Sequence, residues 1–229
     1  MKRGKLIVLD GADGSGKATQ TAPLVKRLKK QGRKVKTIDF PRYENNFFGK
    51  LVGECLAGKY GDFIGLDAHI ASVFYAADRF ESKKDIEKWL KEGCIVVADR
   101  YVSANQIHQG SKITHEKKRR EFLKWLDQME FGVFGLPRPD VILYLDVPRE
   151  ISDRLLGQKK QGASINRSVK GKKDLAESDK LHLDASRKSA LKLVAESNAW
   201  IRIQCAKKNE LLSREAIAEM VWEQVKKMV

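Results

Sequence analysis

A short apolar run that leads directly into a glycine-rich turn constrains this fold more than any other feature. Leu6-Ile7-Val8-Leu9 has the composition of a buried strand, and Gly11-Ala-Asp-Gly-Ser-Gly-Lys17 follows it and begins a helical pattern. In this setting the glycines let backbone N–H groups turn toward an anion, and the helix N-terminus adds the positive end of its dipole. Lys17 can then reach the β- and γ-phosphates of a nucleotide. The segment predicts a phosphate-binding loop, with ATP contacts at Gly11, Ala12, Asp13, Gly14, Ser15, Gly16, Lys17, Ala18 and Thr19.

One position of this loop lacks the side chain that the motif normally carries there. Ala18 stands after Lys17, where a Ser or Thr hydroxyl usually contacts Mg²⁺, and Thr19 lies about 100° further around the helix. Mg²⁺ commonly keeps several waters and takes one or two carboxylates together with the substrate phosphates. We therefore expect Mg²⁺ to accompany ATP and to be held by phosphates, water and acidic groups such as Asp13 or Asp99.

Five short apolar runs alternate with longer helical patterns along the chain. The runs occupy residues 6–9, 35–40, 94–98, 141–145 and 200–205, and the helical patterns occupy 17–31, 46–58, 67–92, 102–131, 148–158, 174–198 and 210–228. Continuous apolar runs are typical of strands that are buried on both faces of a parallel sheet. No repeat or linker divides the 229 residues, and this length suits one domain. We predict a single domain over 1–229 with the three-layer α/β/α fold of P-loop NTPases, its five-stranded parallel sheet flanked by helices.

Charge and cysteine content limit the partners and the compartment. The chain has 45 Lys and Arg residues against 30 Asp and Glu, a formal net charge of +15, which favours anionic ligands. Its three cysteines, Cys55, Cys94 and Cys205, form no CxxC pair, which excludes the usual zinc spacings and argues against a disulfide framework. No stretch approaches the roughly 20 apolar residues of a membrane helix. We expect a cytoplasmic protein without a membrane partner.

Three further motifs lie at the ends of predicted elements or within them. Phe40-Pro41-Arg42-Tyr43 follows the second strand, Ala77-Asp78-Arg79-Phe80 lies in a helix, and Asp99-Arg100-Tyr101 ends the third strand, with Asn105 and Gln109 beyond it. In this order and spacing the motifs resemble the thymidylate kinase family, over about residues 6–187. The resemblance implies an enzyme that transfers the γ-phosphoryl group of ATP to dTMP, giving ADP and dTDP, and it implies a homodimer.

Two arginines are the expected contacts for the acceptor phosphate. Arg79 and Arg100 can grip a monophosphate with forked, planar hydrogen bonds that lysine cannot match. Arg100 also follows a strand carboxyl end, where open α/β sheets bind their ligands. Beside acidic neighbours, either arginine alone fits a structural ion pair equally well, and it is the family resemblance that favours the substrate role.

The resemblance also implies roles for single residues. Asp13 would approach the sugar or the attacking phosphate, and Asp99 would organise Mg²⁺. One of two adjacent aromatic residues, Tyr75 or Phe74, would stack on thymine, and His108 stands where similar enzymes often have an aromatic side chain that disfavours a ribose hydroxyl. In all, the implied dTMP contacts are Asp13, Phe40, Arg42, Phe74, Tyr75, Arg79, Arg100, Asn105, His108, Gln109 and Glu177.

A basic segment follows the fourth predicted strand. Residues 155–173 contain six Lys and Arg residues and no acidic residue. A charge run by itself fits a solvated loop, but this position favours a lid that clamps phosphates. Gly14 stands where some members of the resembled family carry an arginine, and members without it are thought to supply that cation from the lid. The resemblance places Arg154 against adenine, and the predicted catalytic residues are Lys17, Asp13, Arg100, Lys159 and Arg167.

Two other functions fit parts of the sequence. The first is a kinase for another nucleoside monophosphate or for a deoxynucleoside, although Arg79 and Arg100 favour a phosphorylated acceptor. The second is a catalytically decayed ATP-binding protein with nucleic-acid affinity, which Ala18 and the net charge suggest. The basic residues are concentrated in the lid and at the end of the first helix, without interleaved aromatic residues, which argues against nucleic acid as a partner.

Overall fold

Five parallel strands form the centre of the structure, which is a computed structural model. It describes residues 3–161 and 180–229 and, within these ranges, all side chains except those of 158–161 and 180–182. The strands are β1 (Leu6–Asp10), β2 (Val35–Asp39), β3 (Ile95–Asp99), β4 (Val141–Asp146) and β5 (Trp200–Gln204). They pair in the order β2-β3-β1-β4-β5, each parallel to its neighbours. The predicted five-stranded parallel sheet is confirmed, with every boundary within one residue of the expected one.

Helices connect the strands and cover both faces of the sheet. They are α1 (Lys17–Lys30), α2 (Phe47–Leu56), α3 (Ala68–Glu81), α4 (Lys83–Lys91), α5 (Val102–His108), α6 (Glu116–Asp127), α7 (Arg149–Gln161), α8 (Lys180–Glu196) and α9 (Arg214–Val225). A 3₁₀ turn at Gly110–Lys112 follows α5, and a π-helix at Gln128–Val133 continues α6. A small hairpin pairs β6 (Ala206–Lys207) with β7 (Glu210–Leu211). In the part of the chain that the structure describes, no helix is long and apolar enough to cross a membrane.

The core lies in two layers, one on each face of the sheet. Successive side chains of a strand point to opposite faces, so Leu6 and Val8 of β1 belong to one layer, and Ile7 and Leu9 belong to the other. β1, β3 and β4 are buried throughout, as their continuous apolar runs predict. The edge strand β2 is half exposed, because it has a neighbour on one side only. These layers fix the carboxyl ends of β1 and β3, from which the site is built.

Two of the predicted helices are interrupted in the structure. The helix expected over 67–92 divides at Ser82, whose Oγ accepts hydrogen bonds from Asn46 Nδ2 at 3.0 Å and Arg42 Nη1 at 3.2 Å. The helix expected over 102–131 divides into α5, the 3₁₀ turn, α6 and the start of the π-helix. The segments 67–92 and 102–131 are therefore mainly helical, as their patterns predict, but each contains more than one helix.

The predicted lid begins inside a helix. α7 continues to Gln161, three residues beyond its expected end at residue 158, so the first part of the segment 155–173 is helical. The rest of that segment, including Arg167, lies outside the described residues, and so does Glu177.

Candidate active site

The phosphate-binding loop joins β1 to α1, as the sequence predicts. Gly14 and Gly16 have φ angles of 79° and 86°, left-handed values that residues with a Cβ atom rarely adopt. Gly16 caps α1, so the unpaired N–H groups of the first helical turn lie at the loop. Lys17 Nζ crosses the loop and donates hydrogen bonds to the carbonyl oxygens of Gly11 at 2.9 Å and Ala12 at 3.0 Å. The loop therefore brings an ammonium group and the positive end of a helix dipole to one anion site.

Gly14 lies where this loop packs against α7. A Cβ atom at residue 14 would lie 2.7 Å from the carbonyl oxygen of Ser152 and 2.9 Å from Cγ of Leu156. An arginine at residue 14 would therefore require α7 to move away. Gly14 therefore leaves no side-chain cation at this position of the loop.

Ser15 contributes a buried hydroxyl to the loop. Its Oγ has no hydrogen-bond partner among the described residues, although the residue is only 5% exposed. Buried hydroxyls are normally paired, and a nucleotide phosphate at this loop would supply the missing partner.

An ion pair between Asp13 and Arg100 links the loop to β3. Asp13 Oδ1 accepts a hydrogen bond from Arg100 Nη2 at 2.5 Å and lies 3.9 Å from Lys17 Nζ. Arg100 follows the end of β3 with a φ of 67°, a left-handed conformation that surrounding structure must hold in a residue other than glycine. The structure thus brings together three of the predicted catalytic residues, Lys17, Asp13 and Arg100.

The charges of these three residues determine their protonation. Desolvation would raise the pKa of Asp13, but the positive charges of Arg100 and Lys17 outweigh it and hold this pKa well below its usual 3.8. Desolvation, together with the charge of Arg100, lowers the pKa of Lys17. Asp13 is therefore an anion at neutral pH, and its charge reduces the repulsion between the two cations.

Asp10 is a buried carboxyl group that the sequence pattern does not reveal. It ends β1 with no exposed surface and accepts hydrogen bonds from Ser103 Oγ at 2.5 Å and Gly11 N at 2.8 Å. Burial raises its pKa above the usual value. These contacts tie the start of the loop to α5, so Asp10 positions the loop.

A cleft extends from the Asp13–Arg100 pair toward α2 and α3. Leu56, Phe63 and Ile64 form its apolar wall. A mainly apolar pocket with a few converging polar groups is the usual form of a small-molecule site. Eight of the predicted dTMP contacts line this cleft, namely Asp13, Phe40, Tyr75, Arg79, Arg100, Asn105, His108 and Gln109.

Only one of the two adjacent aromatic residues on α3 lines the cleft. Tyr75 does so, whereas Phe74 packs edge-on against Phe63, with ring centroids 5.7 Å apart. Phe40 packs on buried Tyr101 with centroids 5.8 Å apart, which holds its ring in place. The geometry favours Tyr75 over Phe74 for stacking on a base.

Arg79 forms a buried ion pair and does not join Arg100. Its Nε donates to Glu130 Oε2 at 2.6 Å and its Nη2 to Oε1 at 2.7 Å, with side-chain exposures of 2% and 0%. Asn105 Nδ2 also donates to Glu130 Oε1, at 3.0 Å. The two arginines belong to different clusters, one at the loop and one beside Asn105. The geometry does not favour the expected joint grip of both arginines on one phosphate.

Among the described residues, Arg42 is the other predicted dTMP contact that does not line the cleft. Its backbone N donates to Asp78 Oδ2 at 3.0 Å and its Nη1 to Ser82 Oγ at 3.2 Å, so it holds the segment after β2 against α3. Arg154 is exposed on α7, and Lys159 lies in the last turn of that helix.

Asp99, the predicted metal ligand, lines a separate groove beside α1. Ala18 and Asp39 line the same groove, and Asp39 and Asp99 are register partners at the ends of β2 and β3. Across the described residues, no three His, Cys, Asp or Glu side chains cluster as a metal cage. Mg²⁺ in nucleotide sites needs only one or two carboxylates, because phosphates and water complete its shell. The carboxylates here fit such a metal.

Further polar residues of the cleft and its support were not predicted as site residues, among them Tyr43, Lys112 and Glu130. Tyr43 lines the cleft and lies inside the Phe40–Tyr43 motif, which was an available signal. Lys112 also lines it, and its Nζ donates to the carbonyl oxygen of Leu66 at 3.0 Å. Glu130 gave no signal, because its segment has the pattern of an ordinary helix.

Comparisons with known proteins agree with this geometry. The family model described as thymidylate kinase matches residues 9–217. The thymidylate kinase of Mycobacterium tuberculosis is 31% identical over 147 residues, which cover 64% of this chain and 68% of the relative. The thymidylate kinase of Plasmodium falciparum is 26% identical over 219 residues, 96% of this chain and 90% of that protein. A solved thymidylate kinase from Candida albicans has a TM-score of 0.72 and 23% identity, and it covers 98% of this chain and 92% of its own, a likeness of fold.

Proposed function

The chain belongs to the thymidylate kinase family and transfers the γ-phosphoryl group of ATP to dTMP, and we propose that its phosphate-binding loop and adjoining cleft hold these two substrates. The observation that carries this division is the 2.5 Å ion pair between Asp13 of the loop and Arg100 of the cleft. Phosphoryl transfer needs the two nucleotides in line, with positive charge around the moving group. The pair lies where the two sites meet.

The loop is proposed to bind the phosphates of ATP. Lys17 Nζ is held by two neutral carbonyl oxygens, and binding would exchange them for anionic phosphate oxygens, which form stronger hydrogen bonds. Ser15 Oγ would gain a partner in the same step. The N–H groups at the start of α1 complete the cradle.

Arg100 is proposed to bind the phosphate of dTMP. It lines the cleft, and its guanidinium has donors beyond the one that it gives to Asp13. The attacking oxygen belongs to a phosphate whose second pKa is about 6, so at neutral pH it is largely deprotonated and needs no general base. We infer that Asp13 orients Arg100 and that no carboxylate has to remove a proton.

The base and sugar are proposed to occupy the remainder of the cleft. Tyr75 would stack on the base, and Asn105, with Arg79 beside it, would contact its polar edge. His108 and Gln109 line the same cleft. We therefore assign Arg79 to the base, since its partners are Glu130 and, through it, Asn105.

Mg²⁺ is the proposed metal that accompanies ATP. When bound, it neutralises part of the phosphate charge that develops during transfer. Asp99 is the proposed protein ligand, with phosphates and water supplying the other positions, because Ala18 has no hydroxyl.

Several further proposals concern the basic segment, the residues around it and the chain as a whole. We propose that the basic segment 155–173 closes over ATP, and that Lys159 or Arg167 supplies the cation that the loop lacks at Gly14. Contacts of Arg154 with adenine and of Glu177 with the sugar stay predictions, as do the single domain over 1–229 and the cytoplasmic location.

We also propose a homodimer formed through α3. Ile70, Val73 and Phe80 lie on this helix with exposures of 54%, 41% and 49%, and Phe80 packs on Phe134 with centroids 5.1 Å apart. A contiguous exposed apolar surface is typical of an interaction site. Sedimentation equilibrium should give twice the 26.0 kDa chain mass, and Val73→Glu should shift it toward the single-chain value.

An acceptor panel tests the function. Purified protein with ATP and Mg²⁺ should release ADP most efficiently with dTMP, in comparison with dUMP, dCMP, dGMP, AMP and thymidine. Release with a different acceptor would reassign the cleft, and ATP binding without release would indicate a decayed kinase. The contacts of Lys17, Asp13 and Arg100 support a working kinase over a decayed one, and the acceptor panel decides among monophosphates.

A further inference from the structure

Glu130 is a fully buried carboxylate that supports the cleft from behind. It lies in the π-helix after α6, with no exposed surface, and it is not itself among the residues that line the cleft. Two residues that do line the cleft, Arg79 and Asn105, donate hydrogen bonds to it. A buried carboxylate with these two partners can determine which of their atoms face a ligand.

The amide of Asn105 has its orientation fixed by two acceptors. Its Nδ2 donates to the carbonyl oxygen of Ser72 at 3.1 Å and to Glu130 Oε1 at 3.0 Å. An amide nitrogen has two N–H groups, so both are used. Since Asn105 lines the cleft, the atom that it can offer to a ligand there is its Oδ1, an acceptor.

Glu130 also limits which nitrogen of Arg79 can face a ligand. Its Nε and Nη2 are used on the two oxygens of Glu130, which leaves Nη1 as the nitrogen uncommitted within the described residues. An arginine nitrogen can only donate. The same carboxylate therefore sets an acceptor, from Asn105, next to a donor, from Arg79.

This pattern matches the imide edge of a pyrimidine. Thymine and uracil present an N3–H donor beside the O4 acceptor, whereas cytosine presents an N3 acceptor beside an amino donor. An inverted edge would set acceptor against acceptor and donor against donor. Sites built from fixed polar groups reject such mismatches strongly.

We propose that Glu130 is a positioning residue that fixes Asn105 and Arg79 so that the cleft selects imide pyrimidine monophosphates over amino ones. This inference rests on the proposed function, because it requires the base to lie beside Asn105. Glu130 acts through its two partners and does not touch the substrate.

The first test compares Glu130→Met, which removes both acceptor oxygens, with Glu130→Gln, which keeps one. Glu130 Oε1 accepts from both Arg79 Nη2 and Asn105 Nδ2, so the single oxygen of the glutamine should take that position and keep both bonds. Glu130→Met instead leaves Asn105 with only one of its two acceptors, the carbonyl oxygen of Ser72. The ratio of kcat/KM for dTMP to that for dCMP should fall about tenfold or more in Glu130→Met, the value of one hydrogen bond to a charged group, and should stay within about threefold of wild type in Glu130→Gln. The ratio for dTMP to dUMP should stay within about twofold, because both bases have the imide edge. A purely structural role would lower all three acceptors alike and leave both ratios unchanged.

A matched pair of double variants covers the case in which Glu130→Met does not fold. Arg79→Met with Glu130→Gln and Arg79→Met with Glu130→Met both remove the buried charge and its partner, a replacement that proteins often tolerate. They differ in whether residue 130 can accept from Asn105. The Gln variant should prefer dTMP over dCMP about tenfold more than the Met variant does. Equal preferences, with both variants folded by circular dichroism, would overturn the role of Glu130.

The wild-type protein separates this inference from the proposed function. If it fails to release ADP with dTMP, the proposed function is wrong and the inference falls with it. If it is active and Glu130→Met keeps the wild-type ratio of dTMP to dCMP, the inference alone is wrong.

Discussion

Replacement of Arg100 by methionine tests where the acceptor phosphate binds. Methionine keeps most of the side-chain volume and removes the guanidinium that pairs with Asp13. A hydrogen bond to a charged group contributes about 1.5–3 kcal/mol, and a guanidinium can give two to a phosphate. Part of this gain is offset, because Arg100 already donates to Asp13 at 2.5 Å and shares its charge between two anions when dTMP binds. We take a net loss of about 2–3 kcal/mol, which raises the KM for dTMP roughly 30- to 150-fold.

The assay follows initial rates of ADP release against dTMP concentration at saturating ATP, and a fluorescent ATP analogue reports the loop separately. ATP affinity should change less than about threefold, because Lys17 and the loop N–H groups remain. Arg202→Met is a matched control, since Arg202 Nη2 pairs with Asp146 at the same 2.5 Å, Asp146 keeps Arg187, and Arg202 does not line the cleft. An equal loss of dTMP and ATP affinity would refute the assignment and make Arg100 structural. An unchanged KM for dTMP would do so as well.

Three other predictions concern the loop. Lys17→Ala should lower kcat at least a hundredfold while the fold is kept, and activity within a few-fold of wild type would show that the loop does not bind the transferred phosphate. Gly14→Ala should lower both the free energy of unfolding and the affinity for ATP, because φ is 79° and the new Cβ would meet α7. Gly32→Ala is its control, since φ is 75° there and no atom lies within 4 Å. It should lower the free energy of unfolding only by the backbone cost of about 1–2 kcal/mol. In the folded protein the pKa of Asp13 lies below the value near 3.8 that it has in the unfolded chain. The ionised carboxylate therefore stabilises the fold fully above about pH 4, and this stabilisation is lost as the pH falls from there toward the folded-state pKa. In urea titrations Asp13→Asn should therefore be less stable than wild type at neutral pH, by about 1 kcal/mol after solvent screening. This difference in the free energy of unfolding should narrow below about pH 4. A difference that stays constant with pH would contradict the lowered pKa of Asp13.

The sheet was predictable because its signal is local. Each central strand is a continuous apolar run, and burial on both faces requires that pattern at residues such as Val96 and Leu143. The loop was predictable for the same reason, since strand, glycines and lysine are adjacent in the chain. From the strand ends it also followed that Arg100 would lie at the ligand edge of the sheet, near the loop.

The rest of the site depends on contacts between distant residues. Glu130 is 51 residues from Arg79 and 25 from Asn105, and its segment differs from a regular helix only in hydrogen bonding that the side-chain pattern does not encode. Ser82 likewise divides a continuous helical pattern because Asn46, 36 residues away, donates to it. Helical spacing in the sequence does not reveal partners that lie so far away along the chain. For this reason it was not predictable that Arg79 would pair with Glu130 and lie in a different cluster from Arg100.

The two arginines of the cleft differ in a property that decides what each can do. Arg79 and Glu130 are 2% and 0% exposed, and separating such a pair costs about 3–5 kcal/mol because each charge would be left buried alone. Arg100 and Asp13 are 18% and 31% exposed, and Lys17 stands 3.9 Å from Asp13 to compensate it. In the proposed assignment Arg100 turns to the arriving phosphate, and it can leave Asp13 at low cost because the pair is partly exposed and Lys17 still compensates the carboxylate. In the same assignment Arg79 presents a fixed donor to the base, because separating its buried pair with Glu130 is costly. Burial, together with the second cation beside Asp13, thus distinguishes a movable ion pair at the end of β3 from an immobile one behind α3.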